Sequence, residues 1–387
     1  MEVRKATRQD LKRHNRLSLL RAVYYGLADN RAAMAVATGL TKPTVSELAA
    51  ELIAEGFLVE GGIGGSTEMG GKPPRLLDFV PDARQVIGVS VDGLEVRAVL
   101  VNLKGQAAAE HTAPLGGKTG QEVVTLLIET LNGLVAQLDA PLLAVSIGVP
   151  GVVDSEAGTV KRSPLLGWYD LALADILSAQ YNCPAYVANN TELAALGQVA
   201  LGSADVREDY NRVTLLINDT VEVGVTVQGA AYHRGGDIGA MRYLPRGQAS
   251  AVPLVDVLGW RAVQQRASDL RRAYPDTRLP AKGLTYLHIR HAAGLNDPAA
   301  EVLLDELAAV LSIAVVWSIA LLRPHTIVLA GQVADLGDLL ITRLCYHAAE
   351  RLSIEDIAAV HFTLASGLNL SARGAVVMAV HKELEIL

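Results

Sequence analysis

A short run of polar residues near the amino terminus has the types and the order that can read the edges of DNA bases. The run consists of Thr41, Lys42, Pro43, Thr44 and Ser46. Hydroxyl and ammonium groups in the first turn of a helix can exchange hydrogen bonds with bases in the major groove, where a recognition helix inserts its N-terminal end. Thr41 is a suitable N-cap, and Pro43 stands where a missing N–H is no loss. The run predicts a recognition helix that extends to about Glu55.

The segment that must position this helix has the spacing of a helix-turn-helix. It reads RAAMAVATGLTKPTVSEL from Arg31 onwards. Ala35 lets two helices approach closely, Gly39 supplies the left-handed backbone of the turn, and Val45 packs the second helix on the first. The predicted inward residues are Val45, Leu48, Ala49 and Ile53, and the predicted outward ones are Lys42, Thr44, Ser46 and Glu47. An ordinary helical hairpin has a similar periodicity and remains an alternative.

A hairpin is predicted directly after this helix. Two short apolar runs, at 57–60 and 75–79, flank the glycine-rich stretch GGIGGSTEMGGKPP. Strand, glycine-rich tip and strand indicate a β-hairpin, which behind a helix-turn-helix is typical of the wing of a winged helix. Lys72 and Arg75 would flank its tip, where they could contact phosphates or enter a minor groove. A glycine-rich linker between two domains is the alternative.

The charge is distributed unevenly along the chain. The whole chain carries a net charge of −7, but residues 1–48 contain nine Lys or Arg and four Asp or Glu, a balance of +5. The remainder therefore carries −12. A basic amino-terminal part on an acidic body fits phosphate neutralisation that is confined to one module. This pattern favours double-stranded DNA as a partner.

Composition limits the other classes of protein. A chain of 387 residues, half of them hydrophobic, can form two or three domains with sizeable cores. Cys183 and Cys345 are too few for a disulfide framework or a structural zinc site. The amino terminus lacks the apolar run of a signal peptide, and the longest apolar stretch, at 310–322, is interrupted by Ser312 and Ser318 and is too short to span a bilayer. We expect a cytoplasmic protein without a membrane partner.

Strands and helices alternate twice in the rest of the chain. The first round contains strands at 86–91 and 96–101, a third strand around 107–110, a helix at 121–138 and a buried strand at 142–149. The pattern restarts near Arg212 with strands at 213–217 and 221–227, followed by long helices and a strand at 326–329. Two rounds that each open with a β-meander predict an α/β fold of two lobes with internal duplication.

The order of motifs resembles the ROK family of repressors, open reading frames and sugar kinases, in its winged-helix transcription-factor branch. The most specific stretches are SIGVPGVVD and VANNTELAALG, and the resemblance covers nearly all of the chain. It implies a winged helix-turn-helix over residues 1–82 and a sugar-kinase-like domain over 83–387, with the actin-like ATPase (ribonuclease H-like) fold. Lobe one would cover about 83–190 plus the C-terminal helix, and lobe two about 191–370. The kinases of the family bind a hexose and ATP between the lobes.

Both phosphate loops of the family kinases are altered in this chain. In the first loop, Ser90, Asp92, Leu94 and Glu95 replace an acid, a glycine, a threonine and a lysine. The second reads Asn218-Asp219-Thr220-Val221-Glu222-Val223-Gly224, with three of the four family glycines lost. Added carboxylates repel a polyphosphate, and side chains occupy the space where phosphate oxygens must meet backbone N–H groups. We therefore expect neither ATP nor any other cofactor.

The catalytic and zinc motifs of the family are also altered. Asn190 stands where the kinases have the aspartate that acts as general base, and an amide cannot accept that proton. The zinc-binding histidine is replaced by Ala240 and no cysteine follows, so no metal site is expected. Leu165 replaces an asparagine of the sugar-binding set. Asn189, Asn190 and Asp237 remain as candidate ligand-binding residues, although the asparagine pair could instead cap the helix at 191–201.

These observations predict a transcriptional regulator without enzymatic activity. By family habit it would be a repressor that acts as a homodimer or homotetramer, and its body would sense a sugar or sugar derivative. A sugar kinase with atypical phosphate loops and a protein-interaction scaffold are the alternatives.

Overall fold

The computed structural model describes residues 8–63, 73–201, 211–227, 230–245, 249–365 and 370–386. The first part, here called the amino-terminal unit (described residues up to 80), contains three helices and a hairpin. The helices are α1 (Arg8–Tyr24), α2 (Arg31–Thr38) and α3 (Lys42–Ala54), and the strands are β1 (Leu58–Ile63) and β2 (Arg75–Phe79). The two strands pair antiparallel, with Leu58 opposite Phe79. This is the element order that the sequence predicts.

Local sequence explains the tight connection between α2 and α3. Gly39 ends α2 with a φ of +69°, in the region that glycine adopts without steric cost. The Thr41 hydroxyl then accepts the Thr44 N–H at 3.4 Å and caps α3. The buried residues of α3 are Val45, Leu48, Ala49 and Leu52. Ile53, predicted to point inward, is only partly buried.

The first lobe is built on a five-stranded sheet. Its elements are β3 (Gln85–Val91), β4 (Glu95–Asn102), β5 (Ala107–Pro114), α4 (Gln121–Val135), β6 (Leu142–Val149), β7 (Val152–Asp154), β8 (Thr159–Ser163), β9 (Trp168–Leu171), α5 (Leu173–Tyr181) and β10 (Ala185–Asn189). The strand order is β10-β6-β3-β4-β5, and β7, β8 and β9 form a small separate sheet. Strands β3, β4 and β5 are an antiparallel meander, whereas β6 and β10 run parallel.

The second lobe repeats this arrangement. After α6 (Asn190–Leu201) come β11 (Arg212–Ile217), β12 (Val221–Val227), β13 (Ala230–Asp237), β14 (Arg242–Tyr243), β15 (Val252–Pro253), α7 (Val255–Leu258), α8 (Trp260–Ala273), α9 (Tyr286–Gly294), α10 (Pro298–Leu322), β16 (Thr326–Ala330), α11 (Asp338–Ala348), α12 (Ile354–Ala358), β17 (His361–Ala365) and α13 (Leu370–Leu384). The strand order is β13-β12-β11-β16-β17. An antiparallel meander again precedes two parallel strands, so the predicted internal duplication is confirmed.

Helices α6 and α13 cross between the two sheets with their backbones in contact. A Cβ atom on Gly374 would lie 1.6 Å from the Leu193 carbonyl oxygen, and one on Gly197 would lie 2.6 Å from the Leu370 carbonyl oxygen. Only glycine permits this approach. The C-terminal helix also packs against the first sheet, on β3 and β6.

The amino-terminal unit shares a hydrophobic core with the first lobe. Leu20 of α1 belongs to one buried cluster with Val101, Leu384 and Ile386. At the edge of this core the Lys104 ammonium lies 3.6 Å from the centre of the Tyr24 ring and donates to the Tyr24 carbonyl at 2.9 Å. The unit is therefore packed on the body through both the start of the body and its carboxyl-terminal segment.

The apolar stretch near residue 310 belongs to a longer helix than the sequence suggested. Helix α10 has 25 residues and is long and apolar enough to cross a bilayer, which corrects the expectation that the stretch is too short. Ser312 and Ser318 do not interrupt it, because their hydroxyls donate to helix carbonyls. In its most apolar window, 67% of the helix is buried within the protein, so α10 is the central helix of the second lobe's core.

Candidate functional sites

The polar residues at the start of α3 lie on one solvent-facing surface. Thr41, Lys42, Pro43 and Ser46 are exposed and Thr44 is half-buried. The Thr41 and Thr44 hydroxyls are hydrogen-bonded to each other at 2.9 Å. Lys42 and Ser46 are exposed as predicted, whereas Thr44, which was also predicted to point outward, is half-buried. Their contact with DNA stays a prediction.

Of the two cations that were predicted to flank the tip of the hairpin, the structure describes Arg75. The Arg75 side chain, at the start of β2, is 71% exposed, whereas Lys72 lies outside the described residues. Arg75 forms an ion pair with Glu60, and Arg31 of α2 contacts the same carboxylate at 2.9 Å. The two arginines hold the pKa of Glu60 below its ordinary value. Sequence reasoning missed Arg31 and Glu60, because only the packing of the hairpin against α2 brings them together.

Two basic residues of α1 form ion pairs with glutamates of α3 and with its C-cap residue. Lys12 lies 2.5 Å from Glu51 and 3.7 Å from Glu47, and Arg16 forms an ion pair with Glu55. These two cations therefore neutralise the side of α3 that lies away from its N-terminal end. Ion pairs within the amino-terminal unit therefore neutralise part of the excess positive charge of residues 1–48.

The interlobe cleft is the region where the turn after β3 faces the turn after β11. In the first turn, one Asp92 oxygen accepts the backbone N–H groups of Leu94 and Glu95, at 2.8 and 2.9 Å. Burial raises the pKa of Asp92, and the Glu95 and Asp219 carboxylates raise it further. Backbone donors of the kind that a phosphate needs are thus already bound to an anion of the protein.

The second turn is held by an arginine from α8. Arg261 Nε lies 3.2 Å from Asp219 Oδ2, and Arg261 also reaches the Gly93 carbonyl of the first lobe at 3.5 Å. The Asp219 side chain is 3% exposed and that of Arg261 is 67% exposed. A Cβ atom on Gly93 would lie 2.7 Å from Asp219 Oδ2 and 3.2 Å from Leu165 Cδ2. Asp219 and Leu165 therefore fill the space beside the first turn.

Glu222 of β12 is a buried carboxyl group that sequence reasoning treated only as added charge. It is 1% exposed, and neither oxygen has a partner with hydrogen-bond geometry among the described residues. Burial, together with the nearby Asp237 and Asp92 carboxylates, raises the pKa of Glu222 to about 8. Thr220 lowers this pKa, but by less than the other groups raise it. We call Asp92, Asp219, Glu222 and Asp237 the cleft carboxylates.

The three candidate ligand-binding residues have different surroundings. Asn189 is a helix cap: its Oδ1 accepts the Thr191 N–H at 2.8 Å, and its Nδ2 donates to the Gly151 carbonyl. Asn190 is buried at the start of α6 and donates to the Val91 carbonyl at 2.8 Å, but its Oδ1 has no partner. Asp237 is exposed and accepts the Gly239 N–H at 2.8 Å. The capping alternative is correct for Asn189, while Asn190 is hydrogen-bonded to the strand before the first turn and Asp237 lies opposite Glu222 in the second sheet.

Comparisons with known proteins agree with this architecture. The model of the ROK family matches residues 86–382. The chain belongs to the ROK family. A xylose repressor of Caldicellulosiruptor bescii is 31% identical over 219 residues, which cover 56% of this chain and 53% of that protein. The chain thus spans about half the length of that relative.

Solved structures of the family share the fold. A ROK family transcriptional regulator, a homologue of the E. coli MLC protein, superposes with a TM-score of 0.78 at 19% identity, over 97% of this chain and 98% of that one. A ROK family glucokinase from Streptomyces griseus, in complex with glucose and AMPPNP, gives a TM-score of 0.65 at 22% identity over 76% and 98%. Both regulators and kinases of the family therefore have the actin-like architecture of this body.

Proposed function

We propose that this ROK protein is a DNA-binding transcriptional regulator that represses its target. The observation that carries the proposal is the geometry of the amino-terminal unit, in which α2, a left-handed turn at Gly39 and α3 present the polar N-terminal end of α3 to solvent. We identify the unit as a winged helix-turn-helix over residues 1–82, followed by the sugar-kinase-like domain over 83–387. The repressors among its relatives support this function.

We further propose that the body has no kinase activity. The backbone donors beside Asp92 are bound to that carboxylate, and Leu165 and Asp219 occupy the space next to Gly93. Asn190 offers an amide where the kinases of the family have a general base. In this proposal the body holds two copies together and senses a small molecule, and the protein acts in the cytoplasm. A change in the spacing of the paired winged helices would then change the affinity for two half-sites.

DNA binding is tested with the full chain and labelled fragments of its own upstream DNA, by fluorescence anisotropy at several salt concentrations. We expect sequence-selective, salt-dependent binding that Lys42→Ala and Arg75→Ala both weaken. Lys282→Ala, an exposed lysine of the second lobe, is the matched control. Binding that both substitutions leave unchanged would show that the proposed reading surface is misplaced.

The kinase alternative is tested by measuring ADP release with a panel of hexoses. We expect no turnover above the background of hexose-free samples. Steady turnover that disappears in Asn190→Ala would establish an enzyme instead of a regulator.

A further inference from the structure

The cleft carboxylates have more hydrogen-bond acceptors than donors around them. Asp92 and Asp237 each accept backbone N–H groups of their own turn. Asp219 has the ion pair with Arg261, and Glu222 has no partner with hydrogen-bond geometry in the described part of the chain. A buried acceptor without a donor costs free energy, so such a site is completed by a group that brings donors.

The side-chain oxygen of Asn190 is a further acceptor that lacks a hydrogen-bond donor among the described residues. The Asn190 amide is 4% exposed, and its Nδ2 is fixed on the carbonyl of Val91, the residue before Asp92. Its Oδ1 is left without a partner beside this turn. Gly148 makes room for that oxygen, because a Cβ atom there would lie 2.4 Å from it. The Asn190 amide oxygen and both Glu222 oxygens thus lack donors with hydrogen-bond geometry among the described residues.

The chemistry of these acceptors selects among possible ligands. Phosphorylated ligands are repelled by the carboxylates. A metal ion is disfavoured, since no three His, Cys, Asp or Glu side chains of the described residues are placed to share one. A protonated amine carries both a positive charge and several N–H donors, and it bonds oxygens at about 2.7–2.9 Å from its nitrogen. It can therefore serve acceptors that are too far apart for a metal.

We propose that the interlobe cleft binds a small molecule that carries a protonated amine, held by Glu222, Asp219 and the amide oxygen of Asn190. The role of this molecule as the effector rests on the proposed function, whereas its binding to the cleft does not. Asp92 comes from the first lobe and the other cleft carboxylates come from the second. A cation between them favours closure of the lobes, whereas the carboxylates alone repel each other.

Helix α13 connects this cleft with the amino-terminal unit. At its start, the Ser371 hydroxyl donates to the Asn190 carbonyl at 2.9 Å. At its end, Leu384 and the following Ile386 are buried in the core that contains Leu20 of α1. Closure of the cleft around an amine therefore moves a helix whose far end packs on the DNA-binding unit.

The proposal is tested by thermal unfolding and calorimetric titration of the full chain with two amines, putrescine and ethanolamine. Butanediol and ethylene glycol are their neutral counterparts, and inorganic phosphate is the anionic control. We expect a saturable rise in Tm with at least one amine and none with either diol or with phosphate. No response to both amines, or an equal response to the diols, would overturn the proposal.

A variant places the binding in the cleft. Glu222→Gln keeps the shape of the side chain but cannot become the carboxylate that an ammonium group requires as its counter-ion, so the affinity for the amine should fall roughly tenfold or more. Asp170→Asn, which removes an exposed carboxylate paired with Lys161, should leave it unchanged. Equal affinity in Glu222→Gln and the wild type would refute the assignment. Amine binding is measured without DNA, so a protein that binds its operator but no amine contradicts this inference alone.

Discussion

The amino-terminal unit and the interlobe cleft both contain several carboxylates, but their surroundings differ. In the amino-terminal unit, Glu60 lies between two arginines and Glu51 lies beside Lys12, all at the surface. In the cleft, Asp219 and Glu222 are buried, Asp92 is half-buried and Asp237 is exposed, and Arg261 forms an ion pair with Asp219. Exposed ion pairs contribute little to stability, whereas a buried charge without compensation costs much. Substitutions in the cleft should therefore change folding, and those in the amino-terminal unit should mainly change DNA binding.

The largest effect is expected at Glu222. In the unfolded chain its pKa is 4.5, and in the folded protein it is about 8. The native state thus keeps a proton that the unfolded chain releases, so the free energy of unfolding falls as the pH rises across this interval and levels off above about 8. Glu222→Gln should remove this dependence and stabilise the protein at alkaline pH by about a few kcal/mol.

The measurement is denaturant unfolding at several pH values, with Glu156→Gln as an exposed control. If Glu222→Gln and the wild type lose stability equally with rising pH, Glu222 does not hold a proton in the native state. A variant that is less stable than the wild type at alkaline pH would indicate a buried charge that the surroundings do stabilise.

The next effect concerns the cation of the cleft. Arg261→Gln removes the partner of a carboxylate that is 3% exposed, but the arginine itself is 67% exposed, which screens the pair. We expect a loss of about 1–2 kcal/mol of stability, between the values for exposed and buried pairs. The double variant Arg261→Gln/Asp219→Asn should regain most of it, because no uncompensated charge remains. Additive losses in this double-mutant cycle, measured by thermal or denaturant unfolding, would show that the two side chains do not interact.

The elements of the fold could largely be predicted because they follow from local pattern. Gly39 and Thr41 specify the turn and the cap within a few residues, and strands β6 and β12 have the predicted bounds. The packing of α13 on α6 depends on Gly197 and Gly374, which are far apart in the chain and have no local signal. The burial of the carboxyl-terminal residue Ile386 against α1 is equally non-local.

The candidate sites divide in the same way. The exposure of the α3 start follows from helical periodicity and was predicted. The sequence could predict that Asp92 closes its own turn, because an aspartate commonly accepts the N–H of the second residue after it. It could not predict the pairing of Asp219 with Arg261, because this ion pair joins two separate elements of the second lobe. The sequence indicated Glu222 only as an added negative charge. That its oxygens lack hydrogen-bond donors among the described residues is evident only in the folded structure.

In the amino-terminal unit, Glu60→Gln should change DNA affinity more than stability. It releases Arg31 and Arg75 from a shared carboxylate, so both can neutralise phosphates. We expect binding to tighten a few-fold at low salt, with the slope of log affinity against log salt steeper by about 1–2, and little change in stability. Anisotropy titrations measure this, with Glu156→Gln as the control. Weaker binding would mean that Glu60 positions the arginines instead of neutralising them.

The smallest effect is expected for Glu51→Gln. Its partner Lys12 is half-exposed and keeps Glu47 at 3.7 Å, so the surface pair can be replaced without leaving a buried charge. The free energy of unfolding should change only slightly, and the difference should vanish at high salt. Denaturant unfolding at low and high ionic strength measures it. A salt-independent loss as large as that of Arg261→Gln would show that the contact between α1 and α3 depends on this pair, and the distinction between the amino-terminal unit and the cleft would then fail.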